Sequence, residues 1–233
     1  MARQLRSEVT RGAIVRGAAE AFDRFGYGGT SLSEVIAQAG VTKGALYFHF
    51  GSKEDLARAV IAEQQAWSAG EYLEGGAPGL EAVIRLTQLL AGRLTTDPIM
   101  RAGVRLTLEN GTFGGALPDP HREWIDVTEQ LLRRAAAEGD LRASVDPAAL
   151  ARFVVGAFTG VQILSQVLTG RADLRARLRE MWELLLPSVV PESKVSGFRS
   201  VLGSVTGSVT GSVLGSVTAG VEARARGRLP SSG

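Results

Sequence analysis

The chain has 233 residues, with 26 Lys and Arg against 24 Asp and Glu, a formal charge of +2, and no cysteine. That length holds one small domain and one of ordinary size, and the charge is too small to argue for nucleic acid by itself. The missing thiols exclude a disulfide scaffold, a thiolate zinc site and a cysteine nucleophile; with no apolar signal-type segment at the start, a cytoplasmic location is expected.

Arg3, Arg6 and Arg11 make the first segment basic. From Glu8 to Phe25, Ile14, Ala18, Phe22 and Phe25 fall at helical spacing, and Gly26 follows as a stop. After the turn Tyr27-Gly28-Gly29, Ser31 and Glu34 stand three apart as a capping box. They open a helix whose Leu32, Val35, Ile36 and Ala39 face inward. Gly40 supplies a tight turn, Thr42 caps the next helix, and Gly51-Ser52 breaks it. Ser52 and Asp55 read as a second capping box, starting a helix from Lys53 to about Gln65. Two short helices joined by a glycine-containing turn, the second polar outside, form a helix-turn-helix.

The second of those helices has little to bury. It displays Tyr47, Phe48 and His49 beside Thr42 and Lys43. Lys43 can reach a guanine acceptor or a phosphate, Thr42 and the first amides can hold a phosphate, and the tyrosine hydroxyl and imidazole can reach the backbone. An arginine cluster alone is more often a solvated terminus, but beside a helix-turn-helix it reads as a phosphate-contacting arm.

Further along, Leu80, Val83, Ile84, Leu86 and Leu90 mark a helix from Leu80 to Leu94. Asp97-Pro98 caps a helix to about Glu109, residues 110–115 form a loop, and the Pro118–Pro120 turn starts a helix carrying Trp124, Val127, Leu131 and Leu132. Asp146-Pro147 precedes an apolar helix from Ala148 to Leu168, and the last regular helix spans Asp173 to Val189 despite Pro187. The fold is expected to be all-α.

Between Leu150 and Leu168 the only formal charge is Arg152, and the last helix has a wide Leu/Trp/Met stripe. A helix apolar nearly all round is buried on most sides, in a core or against a second copy. Trp124, Phe153, Phe158, Thr159, Gln162 and Gln166, with Gln64 and Gln65, combine apolar walls with amides and hydroxyls. Such a set suits a small neutral ligand, although a core tryptophan among surface glutamines is the plainer reading. No enzymatic motif stands out. His49 and His121, the two histidines, lack metal-ligand neighbours, and there is no GxSxG elbow, phosphate loop or dinucleotide fingerprint, so no cofactor or metal is expected.

Val201 to Val221 carries no charge, and Gly203, Gly207, Gly211 and Gly215 recur every fourth residue. Such spacing invites a membrane span. With 12 of 21 residues Gly, Ser or Thr, too little apolar surface remains for insertion, and a low-complexity disordered extension is expected.

Arg11 to Leu56, with Thr30-Ser31-Leu32, Val41 to Phe50 and Lys53-Glu54-Asp55-Leu56, closely resembles the DNA-binding domain of TetR-family repressors. Gly40 to Phe50 is most similar to the γ-butyrolactone autoregulator receptor branch. The resemblance loosens from Arg101 to Leu186 and ends near Pro191. It implies DNA contact by Arg3, Arg6, Thr30, Ser31, Thr42, Lys43, Gly44, Tyr47, Phe48, His49 and Lys53. It also implies an effector pocket lined by Trp124, with Gln64 and Thr159 as polar contacts and Phe158 and Gln162 beside them. The two apolar helices would form a four-helix dimer interface, which a reading head covering few base pairs requires. The expected organisation is a three-helix DNA-binding domain over 1–53, a helical effector and dimerisation domain over 54–191, and a tail over 192–233. The expected function is a homodimeric repressor on a pseudo-palindromic operator in double-stranded DNA. A small neutral γ-butyrolactone, furan or butenolide would release it. The alternative is a ligand-blind pseudo-receptor or architectural DNA-binding regulator.

Overall fold

The computed structural model describes residues 2–68, 79–109 and 120–204. Among them are ten helices and no strand: α1 (Ala2–Gly29), α2 (Leu32–Ala39), α3 (Lys43–His49), α4 (Lys53–Ser68), α5 (Gly79–Thr96), α6 (Pro98–Leu108), α7 (Pro120–Ala137), α8 (Pro147–Thr169), α9 (Leu174–Val189) and α10 (Glu192–Ser204). The expected loop at 110–115 and most of the glycine-repeat tail lie outside the described residues.

Local capping accounts for the helix ends. Ser31 Oγ accepts from the Glu34 amide at 3.2 Å while the Glu34 carboxylate accepts from the Ser31 amide at 2.6 Å, closing the capping box. Gly40, in the left-handed conformation at φ 63°, ends α2 and turns the chain into α3. Asp97 and Asp146 each accept amides of the helix that follows, with proline at its first position. α1 starts at Ala2 rather than near Glu8, because Ala2 to Ser7 contains no residue that breaks a helix. The expected stop at Gly26 is instead a kink: its φ of 70° interrupts the helix, which resumes to Gly29.

Two folding units share their boundary elements. The head core gathers Ile14, Ala18 and Phe22 of α1, Val35 of α2, Leu46 of α3 and Leu56, Val60 and Ile61 of α4, and is sealed by Ala102 and Leu106 of α6. A division after residue 53 therefore cuts through packed side chains. The larger unit has one cluster built on Leu80, Leu132, Trp182 and Leu186, and another on Leu90, Leu94, Phe158 and Leu178. The buried Trp182 N–H donates to Thr87 Oγ1 at 2.9 Å.

The expected tail does not begin at residue 192. α10 buries Leu202 and packs Val195, Phe198 and Val201 against the larger unit, and Lys194 Nζ binds Asp140 Oδ1 at 2.7 Å. Val195, Phe198, Val201 and Leu202 recur at helical spacing before the repeat dominates, which gives this segment an apolar stripe to bury.

Candidate nucleic-acid interface and internal cavity

α3 buries Leu46 and little else, so its other faces are outward. Thr42 Oγ1 accepts from the Ala45 amide at 3.2 Å, which leaves the hydroxyl hydrogen free for an outside acceptor. Lys43 is exposed with its ammonium 5.9 Å from the Tyr47 ring centroid, and Phe48 is 78% exposed, its ring edge-on to His49 at 5.0 Å. Nothing stands within 4 Å of where a Gly44 side chain would begin, so that face is open. Gln4, Arg6, Ser7 and Thr10 of α1 border one shallow groove with Ala45, Phe48 and His49. The extra turns of α1 therefore bring Arg6 beside α3, and Gln4, Ser7 and Thr10 with it, which the sequence pattern did not flag. Arg3 lies in the first turn of α1; its side chain is outside the described residues.

Two expected DNA contacts have other partners. Thr30 is 3% exposed, and its hydroxyl donates within the head to Gly26 O at 2.7 Å and lies 3.1 Å from Ala21 O. A buried hydroxyl used this way is removed from any duplex, whereas Ser31 remains exposed. Lys53 Nζ donates to Tyr27 O at 2.8 Å and Thr30 O at 3.0 Å, and stands 4.4 Å from the Tyr27 ring centroid. Two of its three donors thus close the turn between α1 and α2 rather than point outward.

Gln64, Trp124, Phe158, Thr159 and Gln162, separated by up to 98 residues, line one cavity of about 780 Å³ counted with its open mouth. Small-molecule sites typically hold roughly 300–1,000 Å³. The walls are Leu90, Leu94, Met100, Val104 and Val127. The Trp124 ring stands edge-on to Phe158 at 5.0 Å, and its buried N–H has no acceptor. The buried amide Nε2 of Gln65, also on the wall, likewise has none. The hydroxyls of Thr159 and Thr107 donate to Val155 O and Gly103 O, so towards a guest they can only accept. The expectation of a lining without charge fails: His121 and the exposed Glu123 also border the cavity. Glu123 precedes Trp124 on α7, and one residue of helical rotation carries it from the apolar stripe to the rim.

Two helices border both cavity and head. α4 contributes Leu56, Val60 and Ile61 to the head core and Gln64 and Gln65 to the cavity. α6 turns Ala102 and Leu106 towards the head and Met100, Val104 and Thr107 towards the cavity. They cross closely: a side chain on Gly103 would start 2.5 Å from Gln64 Oε1. α6 also grips the end of α1. Arg101 Nε donates to Asp23 Oδ2 at 2.7 Å, Arg105 Nη1 to Asp23 O at 2.8 Å and Arg105 Nε to Glu109 Oε1 at 2.8 Å. Glu109 Oε2 accepts the Tyr27 amide at 2.8 Å. Burial pushes the Glu109 carboxyl up, but Arg105 and the Tyr27 amide outweigh it and hold it below its ordinary value. The kink at Gly26 sits inside this grip, where any side chain would start 2.7 Å from Arg105 Nη2.

Residues 14–60 match the family model described as bacterial regulatory proteins, tetR family, and residues 77–191 match the tetracyclin repressor-like C-terminal domain. The A-factor receptor protein of Streptomyces griseus is 41% identical over 189 residues, 81% of this chain and 67% of that protein. The chain belongs to the TetR family. It is a DNA-binding transcriptional regulator, not an enzyme. Within the family it is similar to a solved γ-butyrolactone receptor described as ArpA-like, at 35% identity and a TM-score of 0.74 over 87% of this chain and 98% of that one. The TetR-family protein CprB of Streptomyces coelicolor, solved with its operator sequence, is 37% identical at a TM-score of 0.76, covering 86% and 98%.

Proposed function

We propose that this TetR-family regulator is a homodimeric repressor of a pseudo-palindromic operator, released when a small neutral effector of the γ-butyrolactone, furan or butenolide type enters the cavity between α4, α6, α7 and α8. The observation that carries the reading is the double duty of α4 and α6, whose side chains line the cavity and complete the head core. A guest that fits only one arrangement of those helices shifts the head with them, as release requires. The buried, acceptor-less Trp124 N–H favours a guest with carbonyl or ester oxygens, and the Glu123 carboxylate at the rim disfavours an anionic one. Such a built cavity supports a responsive receptor over a ligand-blind or architectural protein.

Dimerisation rests on α8 and α9. Phe153, Gly156, Gly160, Leu164 and Val167 follow one another at three- or four-residue steps along α8, and Val167 is 74% exposed. Leu184 of α9 is 79% exposed. α8 is long and apolar enough to cross a membrane, but its other face packs on Leu132, Leu90 and Trp182, so a second copy of the chain is the better cover.

The test uses a duplex selected from a random-sequence pool by this protein and a panel of γ-butyrolactones, furans and butenolides. Trp124→Ala is expected to leave a folded protein that binds the duplex but is no longer released by the compound that releases the wild type. A plain core tryptophan would instead cost about 3–5 kcal/mol, and melting temperature and DNA binding would fall together. Release of the stable variant at the wild-type effector concentration would remove Trp124 from the site.

A further inference from the structure

Between the cavity and the head lies a buried cation that none of these roles uses. Arg171 follows the glycine that ends α8, and at φ 71° it is the one non-glycine residue in the left-handed region among the described residues. Backbone strain of this kind persists only where surrounding contacts hold it, and it gathers at sites that switch. The residue is 8% exposed. Its guanidinium makes one side-chain hydrogen bond, a long one from Nη2 to Gln162 Oε1 at 3.5 Å, and its buried Nε has no partner. Gln162 is itself buried and lines the cavity one turn beyond Phe158, which touches Trp124. On its other side Arg171 feels the attraction of the Asp23 carboxylate and the repulsion of the Arg101 guanidinium. These are the groups through which α6 holds the end of α1.

We propose that Arg171 is the positioning residue that couples the cavity to the DNA-reading head, by drawing on Asp23 when an effector takes the amide of Gln162. This rests on the effector reading above. A buried guanidinium cannot be left without an acceptor, and burial already works against its charge. With the cavity empty, Gln162 supplies that acceptor and Asp23 belongs to Arg101. With Gln162 turned to a guest, the Asp23 carboxylate is the charge that remains to satisfy Arg171, in competition with Arg101. Asp23 then serves two cations, and the grip of α6 on the end of α1 loosens. The two states differ in which arginine holds one carboxylate, a differential contact that coupling between sites requires.

Coupling is reciprocal, so operator binding must be felt in the cavity even with no effector present. The full chain is labelled with 5-fluorotryptophan, the Trp124 resonance is assigned with Trp124→Phe, and the selected duplex is titrated in. In the wild type, saturation with duplex is expected to move the Trp124 fluorine resonance. Arg171→Met is expected to bind the duplex within about threefold of wild type while the resonance stays still, and Arg171→Lys to restore part of the movement. A purely structural Arg171 would instead lower melting temperature and duplex affinity together, and that result overturns the proposal. So does an Arg171→Met protein whose Trp124 resonance still moves. Should Arg171→Met fail to fold, Gln162→Met removes the acceptor and keeps the charge; persistent movement there overturns the relay equally. If the wild-type resonance does not move, the cavity is not linked to the head, and the effector reading falls together with the relay.

Discussion

α3 and α6 are both short helices, of 7 and 11 residues, yet they use their surfaces in opposite ways. α3 buries one residue, Leu46, and leaves Lys43, Tyr47 and Phe48 without a packing role. α6 has no idle face: Ala102 and Leu106 close the head core, Met100 and Val104 wall the cavity, and Arg101 and Arg105 hold α1. The contrast separates recognition from transmission. Outward side chains of α3 can change which duplex is read without changing stability, whereas a change in α6 alters stability, head position and cavity together.

The sharpest way to break this contrast is Leu106→Ala. Leu106 is fully buried where α6 meets the head, and its truncation is expected to cost about 2–5 kcal/mol. Melting temperature and duplex affinity should fall together, measured by thermal melts and fluorescence anisotropy. A variant with wild-type stability but altered effector response would mean that α6 transmits without supporting the head.

A second cut concerns α10, which lies beyond the matched family domain. Ending the chain after Pro191 removes the buried Leu202, the packed Phe198 and Val201 and the Lys194–Asp140 pair. The loss is expected to be about 2–4 kcal/mol, from the area Leu202 and its neighbours return to water. Ending it after Ser204 retains every one of these contacts and should leave the melting temperature unchanged. Equal melting temperatures for the two truncations would show that α10 adds nothing to the fold.

Lys43 and Lys53 sharpen the comparison on the α3 side, ten residues apart and differently engaged. Lys43→Ala is expected to weaken binding to the selected duplex by about 1–3 kcal/mol and leave the melting temperature alone. Lys53→Ala should instead lower stability by about 1–2 kcal/mol, because its ammonium ties Tyr27 O and Thr30 O. If the salt dependence of duplex binding flattens in Lys53→Ala while stability holds, Lys53 is a phosphate contact after all.

Features encoded within a few residues were legible in the sequence. The Ser31–Glu34 box, the Thr42 cap and the Asp97-Pro98 and Asp146-Pro147 starts are each local, and all appear where the pattern put them. Trp124, Phe158 and Gln162 were found because apolar helical stripes with occasional amides have few uses. What escaped depends on distant partners. Thr30 reads as an exposed motif residue until the kink at Gly26 folds a carbonyl over it, and Lys53 until the Tyr27 turn reaches it. Asp23 and Arg101 are 78 residues apart and show no shared pattern. Arg171 looked like one more surface arginine, and only packing shows it buried beside Gln162.

The smallest expected effect lies at the end of α8, in a carboxylate rather than a cation. Asp173 accepts from Ser165 Oγ at 2.6 Å, Thr169 Oγ1 at 2.8 Å and Arg177 Nε at 2.7 Å, so it joins the end of α8 to the start of α9 just beyond Arg171. The Ser165 hydroxyl, helped by Thr169 and Arg177 against some burial, lowers its pKa from the ordinary 3.8 to about 2. A carboxyl depressed in the folded chain favours folding above its ordinary value, and that advantage disappears as pH falls towards the folded value. Wild type and Asp173→Asn should therefore differ by a constant amount in melting temperature near neutral pH, and the gap should close between about pH 4 and pH 2. The group is solvent-accessible, so the gap itself is expected to be small. A difference independent of pH would mean that Asp173 acts through shape rather than charge, and that the charged connection between cavity and head stops at Arg171.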